Sequence, residues 1–407
     1  MRVLHVITGL GVGGAELQLW SVLRHSRHEA DVVTLYNPGP VAERLSGDGV
    51  HVRDLGMQRN TQLTALPRLR KIIRDGRYDV VHAHLYRAQI YARPAAWLAR
   101  TPAVVTTEHS IGETHIERRK MTSGVRALYL STDYLFSDAT IAVSDAVRER
   151  LVKWGVPARK ITVIPNGVDF GRVAFDLEAG TRVRRELGIP PAAFVLGVLG
   201  RLDPIKRYDL VIEAAAPLLD AEHKLLVVGD GDQRTHLEEV ARSCGVRDEV
   251  IFAGERHDVG AMLSALDLFV AASSQETFGL SVLEALANGL PALYTTCPAL
   301  DDVPTAGARK VAGTVDALRA EMAATMRMPP GPREPAPEVQ EHYGIEAVSA
   351  RIDDLYERQV TRHRRRARTS DGATPAPPAP GVARAASAGR TPGVTPAGLA
   401  ARPGSSE

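Results

Sequence analysis

Short apolar runs rich in β-branched residues alternate along this chain with longer stretches of helical periodicity. The runs Val3–Ile7, Asp31–Tyr36, Asp79–His84, Ala103–His109 and Ala139–Val143 read as strands, followed by Ile161–Pro165, Phe194–Gly200, Lys224–Gly229, Val250–Gly254, Leu268–Ala272 and Pro291–Thr295. Between them, Ala15–Leu23, Asp145–Lys153, Leu210–Leu219 and Gln233–Cys244 place apolar residues at helical spacing. Such alternation predicts an α/β fold of parallel sheets covered by helices on both faces. Phe194–Leu199 is apolar at every position, as expected of a central strand buried on both sides. The series then restarts. Pro165-Asn166-Gly167-Val168-Asp169 is a turn-rich break, and polar sequence runs to about Ile189 before a fresh apolar strand. We therefore expect two doubly wound domains, residues 1–170 and 171–340. A Pro-rich connector, Met328–Pro337, precedes a last amphipathic helix, Ile345–Gln359, within a segment 341–361. Residues 362–407 are rich in Ala, Pro, Gly, Ser and Thr with almost no large apolar side chain, so this tail is expected to be disordered.

Composition narrows the class. Of 407 residues, 44% are hydrophobic and 24% charged, which excludes a wholly disordered or fibrous chain. No run approaches the ~20 apolar residues of a bilayer helix. The first residues, Met1-Arg2-Val3-Leu4-His5-Val6-Ile7, lack the pattern of a secretory signal. Cys244 and Cys297 are too few for a disulfide framework and lack zinc spacing, so a reduced, cytoplasmic protein is expected. The tail holds eight Arg against Asp371 and Glu407, a charge of +6 that leaves the rest of the chain at −4. A basic nucleic-acid-binding body is therefore not expected. Arg outnumbers Lys by 43 to 7, a usage associated with GC-rich bacterial genomes.

The chemistry concentrates in loops that follow strands. Gly9-Leu10-Gly11-Val12-Gly13-Gly14 lies between the first strand and the first helix, where bare backbone amides at a positive helix end admit an anion. A dinucleotide site would also need an acid closing the second strand. That strand ends at Tyr36-Asn37, so the loop is read either as an anion- or sugar-contacting turn or as a plain tight turn. In the second half, Gly200-Arg201-Leu202-Asp203-Pro204-Ile205-Lys206 follows a buried strand. Two cations at the carboxyl end of such a strand suit a diphosphate, although solvated surface cations would look the same. The string from Ser273 to Pro291 contains Glu276 and Glu284, the latter among Val282, Leu283, Ala285 and Leu286. A carboxylate there needs a solvent face or a polar partner, and ribose hydroxyls are apt partners. Asp230-Gly231-Asp232 reads as a turn and helix N-cap rather than a metal motif.

Taken together, Gly13–Glu16, Asp79–His84, the strand ending at His109, Val143-Ser144, Pro165–Asp169, Gly200-Arg201 with Lys206, and the Glu276/Glu284 pair resemble the retaining, nucleotide-sugar-dependent glycosyltransferases of family 4. The resemblance implies a GT-B fold, with two Rossmann-like domains facing across a cleft and a final helix crossing back to the first. It also implies transfer of a sugar from a UDP- or GDP-sugar to a hydroxyl acceptor, in bacterial envelope polysaccharide, glycolipid or glycoside synthesis. By this resemblance His109, Arg201, Lys206 and Glu276 are the catalytic candidates. Gly13, Gly14, Arg201, Lys206, Glu276, Phe278, Gly279, Leu280 and Glu284 would bind the nucleotide sugar. His109 would face the donor sugar, Arg201 and Lys206 would neutralise the leaving diphosphate, and no metal and no further cofactor would be required.

Two features pull elsewhere. After Pro291 the family usually has a Gly-Gly loop and an acid; this chain reads Ala292-Leu293-Tyr294-Thr295-Thr296-Cys297-Pro298-Ala299-Leu300-Asp301-Asp302. A nucleotide-sugar epimerase of the same fold and a non-catalytic nucleotide-sugar-binding protein are the alternatives. Separately, the basic strips Arg68-Leu69-Arg70-Lys71 and Arg118-Arg119-Lys120 offer peripheral contact with an anionic membrane.

Overall fold

A computed structural model describes residues 1–370 apart from 60, 113, 114, 117, 118, 302 and 330. The strands in chain order are β1 (Arg2–Ile7), β2 (Glu29–Thr34), β3 (His51–Asp54), β4 (Val80–His84), β5 (Ala103–Glu108), β6 (His115–Ile116), β7 (Arg119–Lys120), β8 (Ala139–Ala142) and β9 (Ile161–Val163). They continue with β10 (Phe194–Leu199), β11 (His223–Val228), β12 (Val250–Gly254), β13 (Leu268–Ala271), β14 (Ala292–Tyr294) and β15 (Ala308–Lys310). One sheet runs β3-β2-β1-β4-β5-β8-β9 and a second runs β12-β11-β10-β13-β14-β15, both parallel throughout, while the small β6-β7 pair is antiparallel. Each large sheet reverses strand order beside its first strand, between β1 and β4 and between β10 and β13. At such a switch point the loops leaving the carboxyl ends diverge and open a crevice.

Burial explains the strand chemistry. Central strands β4, β5 and β8 are buried at every residue, because helices cover both faces of a parallel sheet. The edge strands β3 and β15 are mostly exposed and polar, which keeps a sheet margin from pairing with another chain. The expected alternation of strand and helix is present in both lobes.

The chain joins the two sheets at two adjacent places. Val168 N–H donates to the Tyr343 carbonyl at 2.7 Å, and Ile345 N–H donates to the Val168 carbonyl at 3.1 Å. A side chain on Gly167 would strike Ile345, so the two passages lie in close contact. After the second passage the helix Ile345–Ser370 lies against the first sheet: Ile345, Val348, Ile352, Leu355, Tyr356 and Val360 pack with Val3, Val80, Val105 and Ile141. The expected loss of structure after Thr361 is corrected here, since the helix continues to Ser370. Arg and Ala favour the helix interior, and Arg364 reaches Asp79 at 3.5 Å. The rest of the predicted tail, residues 371–407, lies outside the described residues. No helix among the described residues is long and apolar enough to cross a membrane.

Candidate active site

The site is built from loops at the carboxyl ends of both sheets. In the first lobe, β1 ends at Ile7 and the glycine turn leads into the helix Gly14–His25, whose N-cap, Gly13, has an extended backbone and no side-chain cap. A Cβ on Gly13 would collide with the Glu16 carboxylate and come 3.4 Å from an Arg201 nitrogen. The glycine turn thus comes within contact distance of a guanidinium from the second lobe, and a side chain there would have to displace the Glu16 carboxylate. Around Gly14 an added Cβ would meet no atom within 4 Å. The Glu16 carboxyl is pushed above its usual range, chiefly by burial; its own backbone hydrogen bond and then Arg201 pull it the other way.

In the second lobe, Lys206 and Glu276 meet. The short turn Pro204–Lys206 follows β10, capped by the Asp203 side chain accepting from Ile205 N–H. Lys206 Nζ lies 2.5 Å from Glu276 Oε1, the two side chains being 21% and 15% exposed. Ser274 N–H donates to the Ile205 carbonyl at 2.8 Å and fastens the loop after β13 to the loop after β10. Across the lobes, Thr277 Oγ1 donates to the His109 carbonyl at 2.8 Å, and Ser144 Oγ donates to the Thr277 carbonyl at 2.6 Å.

Gly279 starts the helix Leu280–Ala287 with φ 99°, and an added Cβ would strike Cys297; both facts demand glycine. The first-turn amides of Leu280 and Ser281 fall outside the helix's own ladder and are available to an anion. Phe278 sits differently. Its ring is buried at 3% exposure and packs edge-on to Tyr343, so its side chain belongs to the core. Glu284 is also buried and is satisfied by Arg172, whose Nη2 donates at 2.6 Å. Burial still raises the Glu284 carboxyl above its usual range, with Arg172 opposing. Arg172 is held in place by the short helix Phe170–Val173. The Asp169 side chain caps that helix, and the Val173 carbonyl accepts from Asn288 Nδ2 at 2.8 Å.

Residues 12–172 match the family Glycosyltransferase Family 4, and residues 181–329 match Glycosyl transferases group 1. Over 328 residues, 69% of this chain and 71% of the relative, the sequence is 30% identical to D-inositol 3-phosphate glycosyltransferase of Salinispora arenicola. The chain belongs to the GT-B glycosyltransferases. It is also 28% identical over 301 residues, 70% of this chain and 76% of the relative, to the UDP-Gal:alpha-D-GlcNAc-diphosphoundecaprenol alpha-1,3-galactosyltransferase of Escherichia coli. The crystal structure of Anabaena HepE in complex with UDP-glucose has the same fold, with a TM-score of 0.71, 22% identity and coverage of 92% of this chain and 100% of that one.

Within this glycosyltransferase, Arg172 beneath Glu284 was not anticipated, while Glu16, Ser144 and Thr277, quoted from the sequence only as members of motifs, stand at the lobe boundary. Arg172 left one trace, namely that a carboxylate inside an apolar helical run requires a partner. His109 stands at the boundary too. Its Nε2 lies 3.3 Å from His84 Nδ1, and burial lowers its imidazole to about 4. His82 is fully engaged, with Nδ1 2.6 Å from Tyr356 OH and Nε2 2.7 Å from Thr107 Oγ1. The expected N-cap in Asp230-Gly231-Asp232 is corrected: Gln233 holds the cap position of the helix Arg234–Ser243 without a side-chain bond, while Asp230 Oδ1 accepts from Gly231 N–H as a turn does. Gly231 lies so close to the Leu202 backbone that a side chain there would clash, which explains why the turn needs glycine. In the segment that departs from the family, Cys297 is buried against Gly279 and Thr295 Oγ1 donates to the Ser273 carbonyl, so it braces the Glu276 loop; Asp302 lies outside the described residues.

Proposed function

We propose that this glycosyltransferase moves a sugar from a UDP- or GDP-sugar to an acceptor hydroxyl with retention of anomeric configuration, in bacterial envelope glycan, glycolipid or glycoside synthesis. The observations that carry the reading are the approach of Arg201 to the Gly13 turn and the Lys206–Glu276 pair, each on loops at the carboxyl ends of the sheets. Breaking the bond between anomeric carbon and phosphate moves negative charge onto the diphosphate. Arg201, Lys206 and the first-turn amides near Leu280 are fixed before the reaction and stabilise that charge without reorganising. When the donor binds, before the bond breaks, Lys206 exchanges part of its bond to Glu276 for the phosphate, and Glu276 turns its second oxygen to donor hydroxyls. Glu284, kept in place by Arg172, accepts from the nucleotide ribose. The departing phosphate takes the acceptor's proton on the same face. This differs from the paired-carboxylate route of glycosidases, so Glu276 is a hydroxyl ligand and not a nucleophile. Arg201 and Lys206 would serve the diphosphate in a divalent ion's stead, so transfer should persist with EDTA present.

The relatives named above carry a UDP-galactose donor with a lipid-linked acceptor in one case and an inositol phosphate acceptor in another, which supports the donor class and leaves the acceptor open. A panel of UDP- and GDP-sugars, assayed with EDTA present and with product anomers read by NMR, tests the reading. Transfer with a retained anomer is expected. Interconversion of the sugar without acceptor would favour the epimerase, and nucleotide binding without turnover the non-catalytic protein.

We place the protein at the cytoplasmic face of an anionic membrane. The helix Ala65–Gly76 buries Leu69 and exposes Arg68, Arg70 and Lys71. Arg70 Nε donates to the Leu98 carbonyl, beside Trp97, which is 57% exposed. Cations next to an exposed indole suit an anionic bilayer surface. Arg118 lies outside the described residues. Flotation with anionic liposomes that survives charge reversal at Arg68, Arg70 and Lys71 would remove this placement.

A further inference from the structure

The first lobe carries a buried group of histidines that diphosphate chemistry does not use. Parallel pairing sets His5 on β1 opposite His82 on β4, and the two-residue period of a strand puts His84 on the same face as His82. His109 follows the next strand, β5. His5 Nδ1 lies 3.0 Å from His84 Nε2, and His84 Nδ1 lies 3.3 Å from His109 Nε2. The ring planes are inclined by 18° and 29°, close to the shared plane that ring N–H···N bonds require. His109 Nδ1 is buried and has no hydrogen-bond partner among the described residues. Burial keeps all these rings neutral at ordinary pH, with His5 lowered to about 3 and His82 and His84 also well below the usual value.

A neutral imidazole has one N–H and one bare nitrogen. His84 spends both nitrogens on ring partners. If it donates to His5, it must accept from His109, and His109 Nδ1 is bare. If it accepts from His5, it must donate to His109, and His109 Nδ1 carries the hydrogen. The whole row has only these two polarities, and the open nitrogen of His109 reports which one is present. We propose that His5 and His84 are positioning residues that act through this row: they set which nitrogen of His109 carries its proton, and so whether Nδ1 meets a ligand as acceptor or as donor. The consequence for transfer rests on the proposed function; the row itself does not.

Ring ¹⁵N spectra of labelled protein test it, because an N–H nitrogen and a bare nitrogen differ in shift. Wild type is expected to hold His109 in one tautomer, with couplings across both N–H···N bonds. His5→Phe keeps a ring but removes its nitrogens, and should convert His109 to a tautomer mixture or to the opposite form. His5→Asn puts an amide that can either donate or accept where Nδ1 stood, so it should restore a hydrogen bond to His84 without fixing its direction. In parallel, kcat should fall about tenfold in His5→Phe with little change in donor KM, by analogy with the roughly 10–100-fold losses when the partner that orients a metal-bound imidazole is removed. Should His5→Phe fail to fold, the two wild-type couplings decide alone. Absence of either coupling, or an unchanged His109 tautomer in folded His5→Phe, overturns the proposal. So does a zinc ion bound by His5, His82 and His84 in the purified protein. Failure of the transferase reading would leave the nitrogen spectra untouched, so the two ideas fail separately.

Discussion

The two lobes contribute opposite kinds of polarity to one boundary. The second lobe supplies formal charges on loops: Lys206 against Glu276, and Arg201 reaching the glycine turn. The first supplies neutral imidazoles that burial holds uncharged. Charge on partly exposed loops can exchange partners when a ligand arrives. Neutral rings locked between strands cannot, and they present a fixed pattern of donors and acceptors. The contrast teaches that one side of the site re-pairs its charges as the donor binds and is set before the bond breaks, while the other holds a constant geometry throughout.

The sharpest way to break the comparison is to remove charge from the second lobe. Lys206→Ala should lower kcat by roughly 10²–10³, the loss found for a preorganised donor facing developing charge. Steady-state kinetics with a turned-over donor checks it, and a loss under threefold would shift the charge-bearing role elsewhere.

Next is the acid response of the first lobe. The folded-state values of His5, His82, His84 and His109 lie below the unfolded value of about 6.5. Their stability contribution is therefore complete above pH 6.5 and is lost as pH falls toward about 4, because the unfolded rings take up protons that the folded ones refuse. Each ring adds up to about 1.4 kcal/mol per pH unit in that window. Urea midpoints should fall steeply between pH 6.5 and 5, and the slope should flatten in His5→Asn.

A smaller effect is expected at Arg172. Arg172→Ala leaves Glu284 buried without its cation and should cost up to about 3 kcal/mol of stability. The double variant with Glu284→Gln should recover part of that loss, as thermal unfolding would reveal. Smallest is Glu108→Gln. The Glu108 carboxyl, enclosed beside Gln89 and Tyr129, is pushed up to about 7, mainly by burial. A raised acid stabilises least where it must ionise: its contribution is full below the unfolded value near 4.5 and lost as pH rises through about 7. Glu108→Gln should thus gain about 1–3 kcal/mol at pH 8 and much less at pH 5.

Why some of this was readable and some was not follows from where the information lies. Central strands such as Phe194–Leu199 announce themselves because both faces are buried. His51–Asp54 and Ala308–Lys310 do not, since an edge strand carries polar residues and looks like a loop. Glu276 and Gly279 in one short string, and Lys206 in another 70 residues earlier, were legible because a ligand loop concentrates particular residue types. Arg172 was not, because its partner stands 112 residues away and only packing brings them together. The histidine row was half visible, as His82-Ala83-His84. Its other half depends on the β1–β4 register, which no local pattern encodes. The neutral state of the rings follows from burial and could not be read from spacing.

The doubled passage at Val168 and Gly344 has a mechanical corollary. The two backbone hydrogen bonds tie the outgoing and returning passages to each other, so the two crossings form one paired connection. A single tether would have left the halves free to swivel in any direction. Side-by-side threads make a double strap, and the Thr277–His109 and Ser144–Thr277 bonds fasten the lobes a second time at the site.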